Sequence, residues 1–161
     1  MATIQGLPDG VREFVRAYSW HRIEDPLPWA PVRKPLAESR VGLVAMACMV
    51  NPGDPPFDAE QPDNDISIRM MTAATDPSEL VNTYPGQAFD HAGLAADANL
   101  LIPLDRLPDM VAEGEIGELA PRHVTMCGHI TKPRKLIENT APQIAEIFSA
   151  DGADVVLLVP A

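Results

Sequence analysis

The clearest signal along the chain is the contrast between unbroken and periodic apolar runs. Arg40–Val50 and Asp154–Val159 are near-continuous without strict alternation, the pattern of strands covered on both faces. Over Lys135–Ala150, Leu136, Ile137, Ile144, Ile147 and Phe148 share one face of a helix. Pro142 predicts a kink there or two abutting helices, and Gly152 a stop. Ile66–Met71, Leu80–Thr83 and Val124–Cys127 read as shorter strands, the last ending at Gly128. Asp90–Ala98, rich in small residues, predicts one or two helical turns, and Leu100–Ile102 is a brief apolar run. Pro103–Leu107 leads into a helix that Gly114 stops near Glu113. An N-terminal helix is capped by Asp9, with Val11, Phe14, Val15 and Tyr18 at helical spacing.

Between these elements proline decides. Prolines at 26, 28, 31 and 35 forbid a helix and predict an extended strap over Asp25–Pro35, anchored by Trp29. Asn51–Asp65, with four prolines and five acids, reads as an exposed loop leaving the first strong strand. Alternating strands and helices point to an α/β class: a three-layer sandwich with a mainly parallel sheet and right-handed crossovers, resembling a flavodoxin-like arrangement. One domain spans 1–161, with the N-terminal helix and proline-rich strap over 1–35 and the sheet-forming core over 36–161. The last buried strand runs to the carboxyl edge of the sheet, where such folds hold ligands. An edge that stops there either lacks its active-site loop or is completed by another chain.

Composition narrows the functions. Twelve Lys and Arg against 23 Asp and Glu leave a net charge of −11 over 161 residues, which argues against nucleic acid. The longest apolar run, Val41–Val50, is about half of what a bilayer requires, so no membrane span is expected. No export signal is visible at the N-terminus, and two cysteines make no disulfide framework, so a reducing cytoplasm is the expected location. Seventeen prolines, roughly twice the ordinary share, predict irregular loops.

The candidate chemistry is sparse. Cys48, near the carboxyl end of the first strong strand, reads either as a thiol at the ligand edge or as a small buried hydrophobe. His123, Cys127 and His129 form an H-x3-C-x-H cluster, which suits a soft metal, a thiolate–imidazole pair, or a strand-end thiol between two polar histidines. Three ligands fall short of a structural zinc site, and no metal is expected. Asp90, His91, Asp97 and Asn99 make a polar cluster that either orients a polar substrate or caps turns. Asp105 reads as a helix cap and Arg106 as a partner for a carboxylate. Phosphate-loop, dinucleotide and nucleophile-elbow motifs are missing from the sequence.

An ordered set of short stretches carries a resemblance. These are Lys34-Pro-Leu-Ala-Glu-Ser followed by Arg40-Val-Gly-Leu-Val-Ala-Met-Ala, Asp97-Ala-Asn, Pro103-Leu-Asp-Arg-Leu, Glu113-Gly-Glu-Ile-Gly-Glu-Leu-Ala-Pro, and Asp151-Gly-Ala-Asp-Val-Val-Leu-Leu-Val-Pro. From about Pro26 to Ala161 the chain resembles the selenoprotein B family of glycine, sarcosine, betaine and D-proline reductases. The resemblance implies an oxidoreductase component that cleaves a carbon–nitrogen bond in a small amino acid or betaine-type substrate, with a redox donor protein as partner. It places a selenocysteine or cysteine nucleophile just after Val155–Ala161, so no catalytic residue is assigned within the chain; either a frame ended at a selenocysteine codon or a fragment that keeps the scaffold and has lost the chemistry is expected. The pocket is expected to draw on Cys48, Asp97, Asn99 and Gly128, with His123 and His129 as outer candidates. No cofactor is expected in this chain, and a bare last strand predicts a homo-oligomer. The alternatives are a non-catalytic small-molecule-binding or oligomerisation module and a small His/Cys metal-binding protein. Substrate identity, electron donor and symmetry are not readable from the sequence.

Overall fold

Strand β1 (Arg40–Ala45) is the spine of the sheet, buried on both faces because five of its six residues are apolar or glycine. The computed structural model describes residues 4–18, 25–58, 65–84, 91–128, 130 and 132–160. On one flank of β1 lie, in succession, β5 (Glu118–Leu119) and β6 (Arg122–Met126), both parallel to it. On the other flank β7 (Val155–Val159) pairs in parallel along Val41–Ala45. Beyond β6, strand β3 (Ile68–Thr72) runs antiparallel, pairing Met71 with His123. A second, two-stranded sheet joins β2 (Met49–Val50) to β4 (Val81–Asn82).

Helices cover both faces. Against one pack α2 (His91–Ala96) and α3 (Arg106–Ala112), through Leu94 and Leu107, with Leu104 just ahead of α3, onto Leu43, Ala45 and Met71. Against the other packs α4 (Ala141–Ala150), whose Phe148 and Ile144 meet Val44, Val124 and Met126. At Gly42 the ring of Phe148 occupies the space a Cβ would need, so only glycine lets α4 sit this close to β1. The expected α/β class is thus observed, with a mostly parallel sheet. Its order, β3–β6–β1–β7 with an antiparallel edge, is not the all-parallel order of a flavodoxin-like sheet.

Several expectations are met locally. A π-type turn over Leu136–Thr140 precedes α4, and Pro142 falls in the first turn of α4, so Pro142 does mark two abutting segments. Gly152 takes φ 68° just beyond the helix. Others are corrected. The run Arg40–Val50 is not one strand: β1 ends at Ala45, and Cys48, at φ 49°, turns the chain into the second sheet. The last strand is not fully buried either, since Leu157 and Leu158 are 39% and 64% exposed. Apolarity alone does not reveal whether a strand is central or at an edge.

The chain divides into two compact units, Met1–Pro31 and Val32–Ala161. In the first, α1 (Asp9–Ala17) starts at Asp9 after Pro8, so Asp9 is its first residue rather than its cap, and none of its residues is buried. Residues 25–35 hold no helix or strand, and Trp29, expected as an anchor, is 84% exposed. In the second unit, ion pairs gather at the amino ends of the parallel strands. Arg122 grips the Asp151 carboxylate through Nε at 3.0 and 2.9 Å, while Arg40 pairs with Glu118 at 2.8 Å. Asp154 accepts from the Arg40 amide and pairs with Lys34 at 2.7 Å.

Candidate functional site

The carboxyl edge of the same sheet is built differently. Past the end of β1, Met49 forms one wall of a cavity of about 710 Å³, a size suited to a small ligand. Leu80 and Asn82 continue that wall, and α2, Asp97–Asn99 and the start of α3 close it. Its apolar floor comes from Leu94 and Met49, both also members of the core.

Polar groups converge at its mouth. Asp97 Oδ1 accepts from the Asn99 amide N–H at 2.9 Å and from Asn99 Nδ2 at 3.0 Å. Asn99 Nδ2 also donates to Asp105 Oδ2 at 2.9 Å, and Asn99 Oδ1 accepts the Asp105 amide at 3.1 Å. Arg106 reaches Asp97 at 3.9 Å. Hydrogen bonds from Asn99, and then the charge of Arg106, hold the Asp97 carboxyl below the ordinary aspartate range, so it is ionised at neutral pH. Across the cavity Asn82 Nδ2 lies 3.0 Å from His91 Nδ1. The cluster thus offers a guanidinium beside two carboxylates and an imidazole, donors and acceptors that match a small zwitterion.

Of the two sequence readings of Asp97 and Asn99, the structure shows the turn cap. Asp97 caps the short turn Ala98–Leu100, and the capped turn lines the cavity. Asp105, in contrast, makes no side-chain cap to α3, because Asn99 engages its carboxylate instead. Asn82 was not singled out from the sequence, since it becomes a wall residue only when β4 pairs with β2.

The cysteines are corrected most. Cys48 and Cys127, 79 residues apart, are joined in a disulfide just past the ends of the neighbouring strands β1 and β6. While the bond is formed neither is a free thiol, so in this state Cys127 serves neither as a metal ligand nor in a thiolate–imidazole pair. Among the described residues no group of His, Cys, Asp and Glu is placed to hold a metal. Val50, Phe57 and Tyr84 pack around the bridge, and Cys48 is fully buried while Cys127 keeps 8% exposure. Gly128 follows at the surface, partly exposed. His129 and Asp90 lie outside the described residues.

His123 is also displaced from the pocket. It sits fully buried in β6, where its Nδ1 accepts the Leu43 N–H at 3.2 Å, so Nε2 carries the hydrogen. Burial pushes the imidazole below its ordinary pKa and keeps it neutral. Nε2 and the Oγ1 of Thr125 are buried with no hydrogen-bond partner among the described residues.

Two comparisons bear on this edge. The family model described as glycine/sarcosine/betaine reductase selenoprotein B matches residues 12–161. A D-proline reductase subunit gamma of Acetoanaerobium sticklandii is 29% identical over 136 residues, which are 84% of this chain and 54% of the relative. The chain therefore spans about half the length of that curated relative. No solved structure matches.

Proposed function

The chain belongs to the glycine/sarcosine/betaine reductase selenoprotein B family, and from that premise we propose that it forms the substrate-binding α/β part of a reductase component. The reaction is reductive cleavage of the carbon–nitrogen bond of a small amino acid or betaine-type substrate. One observation carries the reading: the cavity bearing Asp97, Asn99, Asp105 and Arg106 opens at the carboxyl edge, where α/β sheets build their sites. Arg106 binds the substrate carboxylate, and Asp97 and Asp105 face its cationic nitrogen. At the same edge β7 ends beside β1, with the Val159 carbonyl accepting the Met46 amide at 2.9 Å.

In this reading the nucleophile is a selenol or thiol, and the part played by residues 1–161 is to bind the substrate. A selenol supplies an ionised nucleophile at neutral pH, as a thiol of depressed pKa does. The reading includes a cytoplasmic location, a redox donor protein and a homo-oligomer formed over the exposed Leu157 and Leu158 of β7. Among the described residues no helix is long and apolar enough to cross a membrane.

Calorimetric titration of the purified chain with glycine, sarcosine, betaine and D-proline tests the binding claim. One of them should bind, and Arg106→Ala should weaken it tenfold or more, the loss of about one charge-assisted hydrogen bond. Silence with all four overturns the reading.

A further inference from the structure

The backbone holds Cys48 and Cys127 side by side independently of the bond between them. The Cys48 amide donates to the Met126 carbonyl at 3.0 Å, and Ala45 stands in register with Thr125 one turn of the pleat earlier. On its other side, Thr83 donates to the Cys48 carbonyl through both its amide, at 3.0 Å, and its hydroxyl, at 2.6 Å. A disulfide that staples a small scaffold closes segments that would otherwise part. Here the sheet has already closed them, so the two sulfurs stay neighbours in either redox state and the bond re-forms readily once opened.

Two further features point the same way. The pair is asymmetric: Cys48 is fully buried in the cluster with Val50, Phe57 and Tyr84, while Cys127 keeps 8% exposure and is followed by the partly exposed Gly128. An attacking thiolate therefore has one sulfur to reach and one to expel. The second feature lies in β6, where His123 Nε2 and Thr125 Oγ1 have no hydrogen-bond partner among the described residues. His123 and Thr125 share a face of the strand by its period of two, and that face runs on towards Cys127. A buried N–H and O–H without acceptors are rare in a folded protein. Reduction would put a thiol, able to accept a hydrogen bond, further along that face.

We propose that Cys48–Cys127 is a redox-exchangeable disulfide, reduced by a dithiol that attacks Cys127. The donor's thiolate forms a bond to Cys127 Sγ as the Cys127–Cys48 bond breaks, and the electron pair leaves on Cys48 Sγ, which takes a proton. The donor's second thiolate then attacks the donor sulfur of the mixed disulfide and releases Cys127. Two electrons and two protons pass from the dithiol, which becomes a disulfide, to the pair, which becomes two thiols. No downstream nucleophile takes part, so this exchange stands or falls separately from the substrate reading.

The test uses the wild-type chain, oxidised and then exposed to dithiothreitol without denaturant, with thiols trapped by iodoacetamide and counted by mass. Two thiols should appear while the far-ultraviolet circular dichroism stays native, and Cys127 should be alkylated at least tenfold faster than Cys48. Cys48→Ser should accumulate a stable mixed disulfide with glutathione at Cys127, and Cys127→Ser should not form one at Cys48. Thiols that appear only in step with unfolding would make the bond a staple and overturn the proposal. So would faster alkylation of Cys48, or failure of the reduced chain to re-form the bond in oxidised dithiothreitol. The wild-type measurements decide the matter even if either variant misfolds.

Discussion

The two ends of the parallel sheet share their strands and differ in nearly everything else. At the amino end Arg40, Glu118, Arg122, Asp151, Asp154 and Lys34 satisfy one another. Asp151 is the least exposed of them; its carboxylate receives a forked grip from Arg122, and its main-chain carbonyl accepts from the Arg40 guanidinium. At the carboxyl end the polar groups surround a cavity, two cysteines are bridged, and β7 presents a bare apolar edge. Charges that neutralise one another hold strands in place, whereas groups ranged around a hollow leave capacity for a ligand. On the reading proposed above, the amino end holds the strands and the carboxyl end binds the ligand.

The largest blow to both ends at once is the core between them. Leu43→Ala removes a fully buried side chain on the central strand and should cost about 2–5 kcal/mol in urea denaturation, with both ends lost together. A smaller and one-sided effect is expected from Arg122→Ala, which strands the Asp151 carboxylate. It should destabilise more than Arg134→Ala, whose partner Glu138 lies at the surface, and leave the cavity intact. Because Arg122 depresses the pKa of Asp151, that contribution is present above the ordinary aspartate pKa and fades as pH falls through the lower folded value.

Smaller still is the share of His123. Its folded pKa lies below the ordinary 6.5, so between the two values the unfolded chain binds a proton that the folded chain refuses. Stability should therefore be full above that range and decline as pH is lowered through it. His123→Gln, followed by denaturation midpoints at a series of pH values, should flatten this decline without changing ligand binding.

How much of this was legible follows from the kind of signal each feature carries. The amphipathic pattern of Leu136–Phe148 and the proline at 142 report local preferences, and they located α4 and its break correctly. Asp97 and Asn99 were legible as a turn, and the turn lines the cavity, because the capping residues also border it. The pairing of Cys48 with Cys127 was not legible. It depends on β1 and β6 lying side by side across 79 residues of sequence, and counting cysteines cannot show that. The break at Cys48 was hidden for a related reason: the run stays apolar while the backbone turns into a different sheet. The burial of His123 was hidden too, since a polar residue in a short strand gives no hint that a main-chain amide from Leu43 meets its ring.

The division between the two ends is tested most directly by mapping backbone amide shifts during titration with the family of small zwitterions, glycine through D-proline. The account predicts changes concentrated at Met49, Asn82, His91 and Asp97–Arg106, with Arg40, Arg122 and Asp151 unmoved. Shifts centred on the amino-end ion pairs, or no shift with any of these ligands, would contradict it.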